Sequence, residues 1–404
     1  MAQTKAPTLA PIAIIGGGPC GLTFARLMER NKIDYVVYER DLNSTPTPGQ
    51  QGGTLDLHCS SGQQALKDAG LFEEFNKLVR WDASRVCIQD PTCTIKSVFD
   101  GRDAPEIDRR QLRKLLLDSI PAHKIRWDHA VKRVDKGPAA DSVIHFANGT
   151  SATGFRLVVG ADGAWSKVRS LLTCAKPEYS GKVFIEGHIS HNNPSYSAAM
   201  ELVGPGNMLA MGSCKTLAVQ QVADRSYRLY MGMKAPEDLF RKPLSMADTK
   251  AMRQDFLSSP EYYADWAPEL KQYLSNAEGP FLLWLLYRLP VASLSWKRVP
   301  GATLIGDAAH VSTPLAGEGI NMAMYDALQL ARSIIKHCHG EGTNAQKDDA
   351  GLLDCAVAEY ESDMFERAQD HTTRCMGREE LFFGENSAQK LIDLINGVVE
   401  DGEE

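Results

Sequence analysis

Apolar positions along this chain change their spacing several times, and each change marks an element. Residues 11–15 (PIAII) are a short unbroken apolar run, the pattern of a buried strand. After the glycine-rich GGGPCG comes LTFARLMERN, with Leu22, Ala25, Leu27 and Met28 on or near one helical face. IDYVVYER then reads as a second strand, so residues 11–40 form a β-α-β unit. Residues 62–79 are helical in pattern (Ala65, Leu66, Ala69, Leu71), interrupted by Gly70. Residues 108–120 (DRRQLRKLLLDSI) space Leu112, Leu115 and Leu116 as a helix.

From 125 to 160 the pattern alternates as strands, with a turn at Asn148-Gly149. Between about 176 and 297 turn signals such as NNPS and VGPGN separate runs such as KTLAVQQV and SYRLYMGM. That texture predicts a mostly antiparallel sheet, with a helical stretch around 246–274. Residues 302–306 (ATLIG) return to a buried strand. Ile320, Ala323, Met324, Ala327, Leu328, Ala331, Ile334 and Ile335 then repeat as an amphipathic helix. A polar linker, HGEGTNAQKDD, leads to a last helix over 351–375. The prediction is an α/β fold: a Rossmann-like unit, a mostly antiparallel second sheet and a C-terminal helix.

A chain of 404 residues exceeds one ordinary core, which favours two domains. A net charge of −7 argues against nucleic acid as partner, since that surface is usually basic. Nine cysteines without a CxxC pair or Cys/His spacing fit free thiols in a reducing, cytoplasmic setting and no metal site. The N-terminus reads as a first strand rather than a signal peptide. The longest central apolar run, FLLWLLY (281–287), is far short of the roughly 20 residues of a membrane helix, and a buried strand is expected.

Three motifs carry chemistry. The first is Gly16-x-Gly18-x-x-Gly21 between strand and helix. The first glycine permits a tight turn, the second lets a pyrophosphate approach, and the third lets helix pack on strand. Glu39, with Arg40 after it, ends the second strand 18 residues past Gly21, where an acid accepts a ribose diol. An acid there repels a 2′-phosphate, so NADP is not expected in this site. The second motif is Gly160-Ala161-Asp162-Gly163, followed by Trp165 to Arg169 and read as a helix start. By itself it reads as a plain turn with a capping aspartate. The third is Gly306-Asp307-Ala308-Ala309-His310, which alone is a strand ending at a capped helix.

In this order the three motifs resemble the class A flavoprotein monooxygenases of the para-hydroxybenzoate hydroxylase fold, over essentially residues 11–375. The resemblance implies FAD as cofactor, NADPH or NADH as co-substrate and O2 as oxidant. It also implies oxygen transfer through a flavin C4a-hydroperoxide to a small molecule, in a monomer. It places Asp307 at the ribityl–pyrophosphate region, and Pro314-x-x-Gly317-x-Gly319-x-Asn321 beside the isoalloxazine. It implies an FAD-binding domain from 1–80, 103–175 and 298–345, a substrate domain from 81–102 and 176–297, and a bridging helix and tail in 350–404. Leu352, Ala356, Tyr360 and Phe365 are the expected bridging side chains.

GGTLDLH (52–58), Ser61-Gly62-Gln63, EIDRRQLRKLLL (106–117) and IRWDHAV (125–131) further resemble the tetracycline-inactivating members. There Asp56 and Arg109 approach the flavin. The substrate-contacting glutamine and arginine of that subgroup, and a nearby histidine, align with Glu186, Met208 and Tyr230. Its basic residue near the nicotinamide becomes Gly49. Replacing an arginine by Met208 removes a cation and five donors. Phe184, Tyr196, Tyr230 and Trp284 are the expected pocket wall, with Pro314 and Gly317 facing the substrate. The expected substrate is a tetracycline-like or other polycyclic phenolic compound, with simple aromatic acids or phenols, or a non-oxygenating FAD reaction, as alternatives.

Overall fold

A computed structural model describes residues 11–46, 52–100, 104–137, 142–238, 248–338 and 349–397. Gly49, nearly all of the polar linker and the tail after Gly397 lie outside the described residues.

Five parallel strands form the first sheet, in the order Ala302–Leu304, Leu157–Gly160, Ile12–Ile15, Tyr35–Tyr38, Ile125–Arg126. The three strands Ile12–Ile15, Leu157–Gly160 and Ala302–Leu304 are buried throughout, as a parallel sheet covered on both faces requires. Helices Pro19–Arg30 and Gly319–Cys338 pack on each other beside it. The last strand is supplied after the chain has built a second sheet. The Gly306–Asn321 segment therefore joins the first sheet late in the sequence, yet Gly306 lies against Cys20 of the first helix.

The second sheet has seven strands, in the order Glu278–Arg288, Glu178–Ile189, Tyr227–Lys234, Lys215–Gln221, Asn207–Gly212, Val86–Gln89, Lys96–Phe99. All its pairings are antiparallel except that of Asn207–Gly212 with Val86–Gln89. Alternation divides its side chains. Val183, Ile185, Met208, Leu217, Val219, Leu229 and Met231 join a core with Met252, Phe256, Tyr263, Trp266 and Leu270 from the helical stretch. Phe184, Glu186, Arg228 and Tyr230 take the opposite face, toward the first sheet. A two-stranded ribbon, Thr54–Asp56 with Glu106–Asp108, lies between the sheets. Asn207 donates to the buried Glu106 carboxylate at 2.6 Å and so pins the ribbon to the second sheet.

Several expectations change in detail. The 62–79 helix is two, Gly62–Ala69 and Phe72–Asn76, because Gly70 adopts a left-handed φ of 68° that ends the first. The segment after Gly163 opens no α-helix; a single 3-10 turn, Arg169–Leu171, follows. FLLWLLY lies in the edge strand Glu278–Arg288 and is mostly half-buried rather than buried. The C-terminal helix runs Asp349–Phe382, longer than 351–375, and a further helix, Ser387–Ile395, follows.

The bridging is also carried by other residues. Ala356 and Tyr360 are buried in the core of the first sheet, with Leu352 and Phe365 packed against it. The second sheet is reached later along the chain. Glu379 pairs with Lys182 and Arg288, Phe383 packs near Phe184, and Leu391 and Ile392 cover Ile88 and Met211. No helix among the described residues is long and apolar enough to cross a membrane.

Candidate functional site

The first motif behaves as its spacing predicts. Gly16 has φ of 112°, and a Cβ there would sit 2.3 Å from the Ala161 carbonyl oxygen. At Gly21 a Cβ would meet the Gly16 carbonyl oxygen at 2.1 Å, so this glycine allows helix and strand to touch. Gly18 has no neighbour within 4 Å of such a Cβ, which leaves the helix N-terminus open. Glu39 is buried at the end of its strand, where its carboxylate accepts the Gly17 N–H and, at 3.0 Å, the Asp41 N–H. Arg40 is exposed beside it.

Arg113 belongs to the same end, although periodicity gave it no role. It donates to the Gly17 carbonyl at 2.9 Å and pairs with Asp41 at 2.8 Å and Glu39 at 3.9 Å. The signal was its position one helical turn past Arg109, which puts both on one face.

Asp162 holds its own loop. Its carboxylate accepts the Ser166 hydroxyl at 2.5 Å and the Lys167 N–H at 2.7 Å, while burial pushes its pKa up. Arg169 joins the second and third motifs. Its guanidinium donates to the carbonyls of Ala164, Ala308 and Asp307 at 2.8, 2.8 and 2.9 Å. Below the third motif, the fully buried Asp326 accepts the Gly306 N–H at 2.9 Å. It also pairs with His310 at 2.5 Å and Arg367 at 2.9 Å.

Asp307 itself is exposed at the cleft. Across from it Arg109 has a buried Nε with no hydrogen-bond partner, and burial pulls its pKa down against the opposing charge of Asp307. Pro314, Gly317 and Gly319 are exposed, with Gly317 left-handed at φ 71° and open space at both glycines. Asn321 is buried and clamps the ribbon loop. It donates to the Asp56 carbonyl at 2.9 Å and accepts from the His58 N–H at 2.8 Å. Asp56 lies 3.4 Å from His58.

Of the substrate-side residues, Glu186 and Tyr230 share the cleft face. Glu186 is buried, accepting Arg228 at 2.9 Å and the Trp284 indole at 2.8 Å. Tyr230 packs edge-on to Phe184 at 6.4 Å, and burial pushes its phenol well above its usual pKa. Two residues go elsewhere. Met208 is 0% exposed on the far face, opposite Val219 and Cys87, so the structure gives it to the core instead of the pocket. Strand parity decides this, because 208 is out of phase with 186 and 230 across the sheet. Tyr196 leaves the pocket wall for the helix Tyr196–Leu202, where it packs edge-on to Tyr227 at 5.7 Å.

A glycine cradle, a helix N-terminus, a buried acid at the second strand, an arginine whose buried Nε has no partner and bare turn glycines fit a dinucleotide with a flat ring. A family model described as "FAD binding domain" matches residues 10–197 and 298–359. The chain belongs to this FAD-binding family of class A flavoprotein monooxygenases. A curated relative is "Monooxygenase penA" of Penicillium thymicola, 29% identical over 95% of this chain and 98% of its own. In fold the flavoprotein is similar to Klebsiella pneumoniae HpxO, solved with FAD and uric acid. The TM-score is 0.74 at 21% identity, covering 96% of this chain and 95% of that one. It is also similar to the tetracycline destructase Tet(55), with TM-score 0.70 at 17% identity over 99% and 100%.

Proposed function

We propose that this flavoprotein is an NAD(P)H-consuming monooxygenase that hydroxylates a polycyclic or phenolic small molecule, a tetracycline-like compound among the candidates. One observation carries the reading: the three motifs are tied to one another, Gly16 packed against Ala161 and Arg169 bonded to the carbonyls of Ala164, Asp307 and Ala308, with Arg109 buried within reach of the Asp307 charge. When bound, FAD supplies the electrons drawn from a nicotinamide and the activation of O2 for transfer of one oxygen atom.

The chain's own residues bind and orient. Open N–H groups at Gly18 and the helix dipole favour the pyrophosphate, and Glu39 accepts the adenosine ribose. Arg109, whose buried Nε has no hydrogen-bond partner, would offer a cation to the anionic part of the cofactor. The Gly317 N–H is taken by the Pro314 carbonyl at 3.0 Å, so the N–H groups of Glu318 and Gly319, at the start of the helix Gly319–Cys338, are the ones that would stabilise negative charge on the reduced cofactor. Glu186 is buried with one oxygen on Arg228 and the other on the Trp284 indole, so it braces both side chains. Phe184, Tyr230 and Trp284 form an apolar wall with a few polar atoms, a lining suited to an aromatic ligand.

The test is mass spectrometry of tetracycline and a panel of phenols, incubated under labelled O2 with FAD-loaded protein and NADPH or NADH. One labelled oxygen in a product supports the reading. Nicotinamide oxidation with no label in any product contradicts oxygen transfer and favours an oxidase.

A further inference from the structure

The turn that meets the cofactor is bare on its front and tied down on its back. Ser312 is 3.0 Å from His371 Nε2. Thr313 donates to Glu379 at 2.9 Å. Glu318 accepts Arg374 at 2.8 Å, and its other oxygen lies 3.5 Å from His371 Nδ1. All three partners, His371, Arg374 and Glu379, come from one helix, Asp349–Phe382. His371 and Glu379 are almost fully buried, at 1% and 2% exposure. Between these anchors the chain makes one 3-10 turn, Pro314–Ala316, and then exposes Gly317 and Gly319 on either side of Glu318. Glu318 is thus the one side chain between two bare glycines, and it points away from the cleft to the helix.

We propose that His371, Arg374 and Glu318 are positioning residues, through which the C-terminal helix sets the turn's N–H groups against the cofactor and so favours its reduced form. The proposal rests on the functional reading above. The physical reason is preorganisation. A backbone N–H stabilises charge only if it is already aimed where the charge develops, and a glycine turn has no stiffness of its own. A carboxylate held by two cations on a long helix supplies that stiffness. The ionisation of the pair agrees: Glu318 is lowered to about 2 by His371 and Arg374. His371 is raised to about 9 by Cys375 and Glu318 in spite of its burial. The same helix also joins the turn to the second sheet, since the Glu379 oxygens that take Thr313 also take Lys182 and Arg288 at 2.8 Å.

The test is the midpoint potential of FAD on the full-length holoenzyme, read by dye equilibration with visible spectra. Glu318→Gln and His371→Gln should each lose about tenfold of the preference for reduced over oxidised cofactor, a fall of about 30 mV for a two-electron couple. The double variant should fall no further, because the two act as one unit. Arg374→Lys keeps the cation and should stay near wild type. Arg374→Gln touches only a half-exposed side chain, so it keeps the fold and should shift in the same direction. Wild-type potentials in Glu318→Gln, His371→Gln and Arg374→Gln, even with lowered melting temperatures, would overturn the proposal and leave a purely structural helix. Wild-type protein that takes up no FAD would instead overturn the functional reading, and this proposal with it.

Discussion

Glu379 offers a test of how the two sheets are held in register. Its carboxylate is 3% exposed and meets Lys182 at 2.8 Å, Arg288 at 2.8 and 3.0 Å and Thr313 at 2.9 Å. Glu379→Gln keeps the shape and removes the charge. The ammonium of Lys182, 8% exposed, is then buried without an anion, whereas Arg288 at 25% exposure is partly screened by water. Breaking a buried pair on one side costs about 3–5 kcal/mol, and the exposure of Arg288 argues for the lower end, about 3 kcal/mol. With roughly 2.1 cal/mol/K of unfolding entropy per residue over 404 residues, that loss lowers the melting temperature by about 3–4 °C. Calorimetry of the FAD-loaded protein at fixed scan rate measures it. Lys182→Met combined with Glu379→Met should recover more than half of the loss, because neither charge is then stranded. An unchanged melting temperature in Glu379→Gln, or a double variant worse than the single, would refute the reasoning.

Other outcomes follow from the same contacts. Gly16→Ala should abolish flavin retention, since the new Cβ would lie 2.3 Å from a backbone oxygen at a φ of 112°; flavin absorbance per chain measures this. Arg109→Met should weaken FAD binding by roughly 30-fold, about 2 kcal/mol for a charged hydrogen bond, without destabilising the apo-protein, as titration and melting together would show. Met208→Arg, which installs the tetracycline subgroup's residue, should cost the core several kcal/mol and lower expression, because it strands a cation behind the sheet; unchanged melting would return Met208 to the pocket. Stability should also depend on pH through the pair of charges on the turn. His371, raised to about 9, contributes fully below its unfolded value near 6.5, and that contribution disappears as pH rises to 9. Glu318, lowered to about 2, contributes above about 4.5 and loses that contribution as pH falls toward 2. Facing His371 are Glu318, Cys375 and Ser312, with Arg374 on Glu318's far oxygen, so His371→Gln should flatten the decline between pH 6.5 and 9 in thermal melts.

The cofactor end was legible in the sequence because Gly16, Gly21 and Gly317 answer backbone demands that a side chain would not meet. The phase of the second sheet was not. Met208 and Glu186 lie on strands whose register depends on bulges and on distant pairing, and a shift of one residue exchanges the faces. The C-terminal helix was read short because its apolar repeat fails near Gly377. Beyond that point burial is sustained by Glu379, an acid that is interior only because Lys182 and Arg288 arrive from strands far away in the chain. His310 carried no local signal either; its partner Asp326 sits about two turns into the helix Gly319–Cys338.

The most direct test of the central claim is titration of the flavin-free protein with FAD, followed by fluorescence quenching and visible absorbance. The account predicts saturation at one FAD per chain, and loss of that saturation in Gly16→Ala with wild-type secondary structure. A well-folded wild-type protein that leaves FAD fluorescence unquenched at saturating concentration would contradict it.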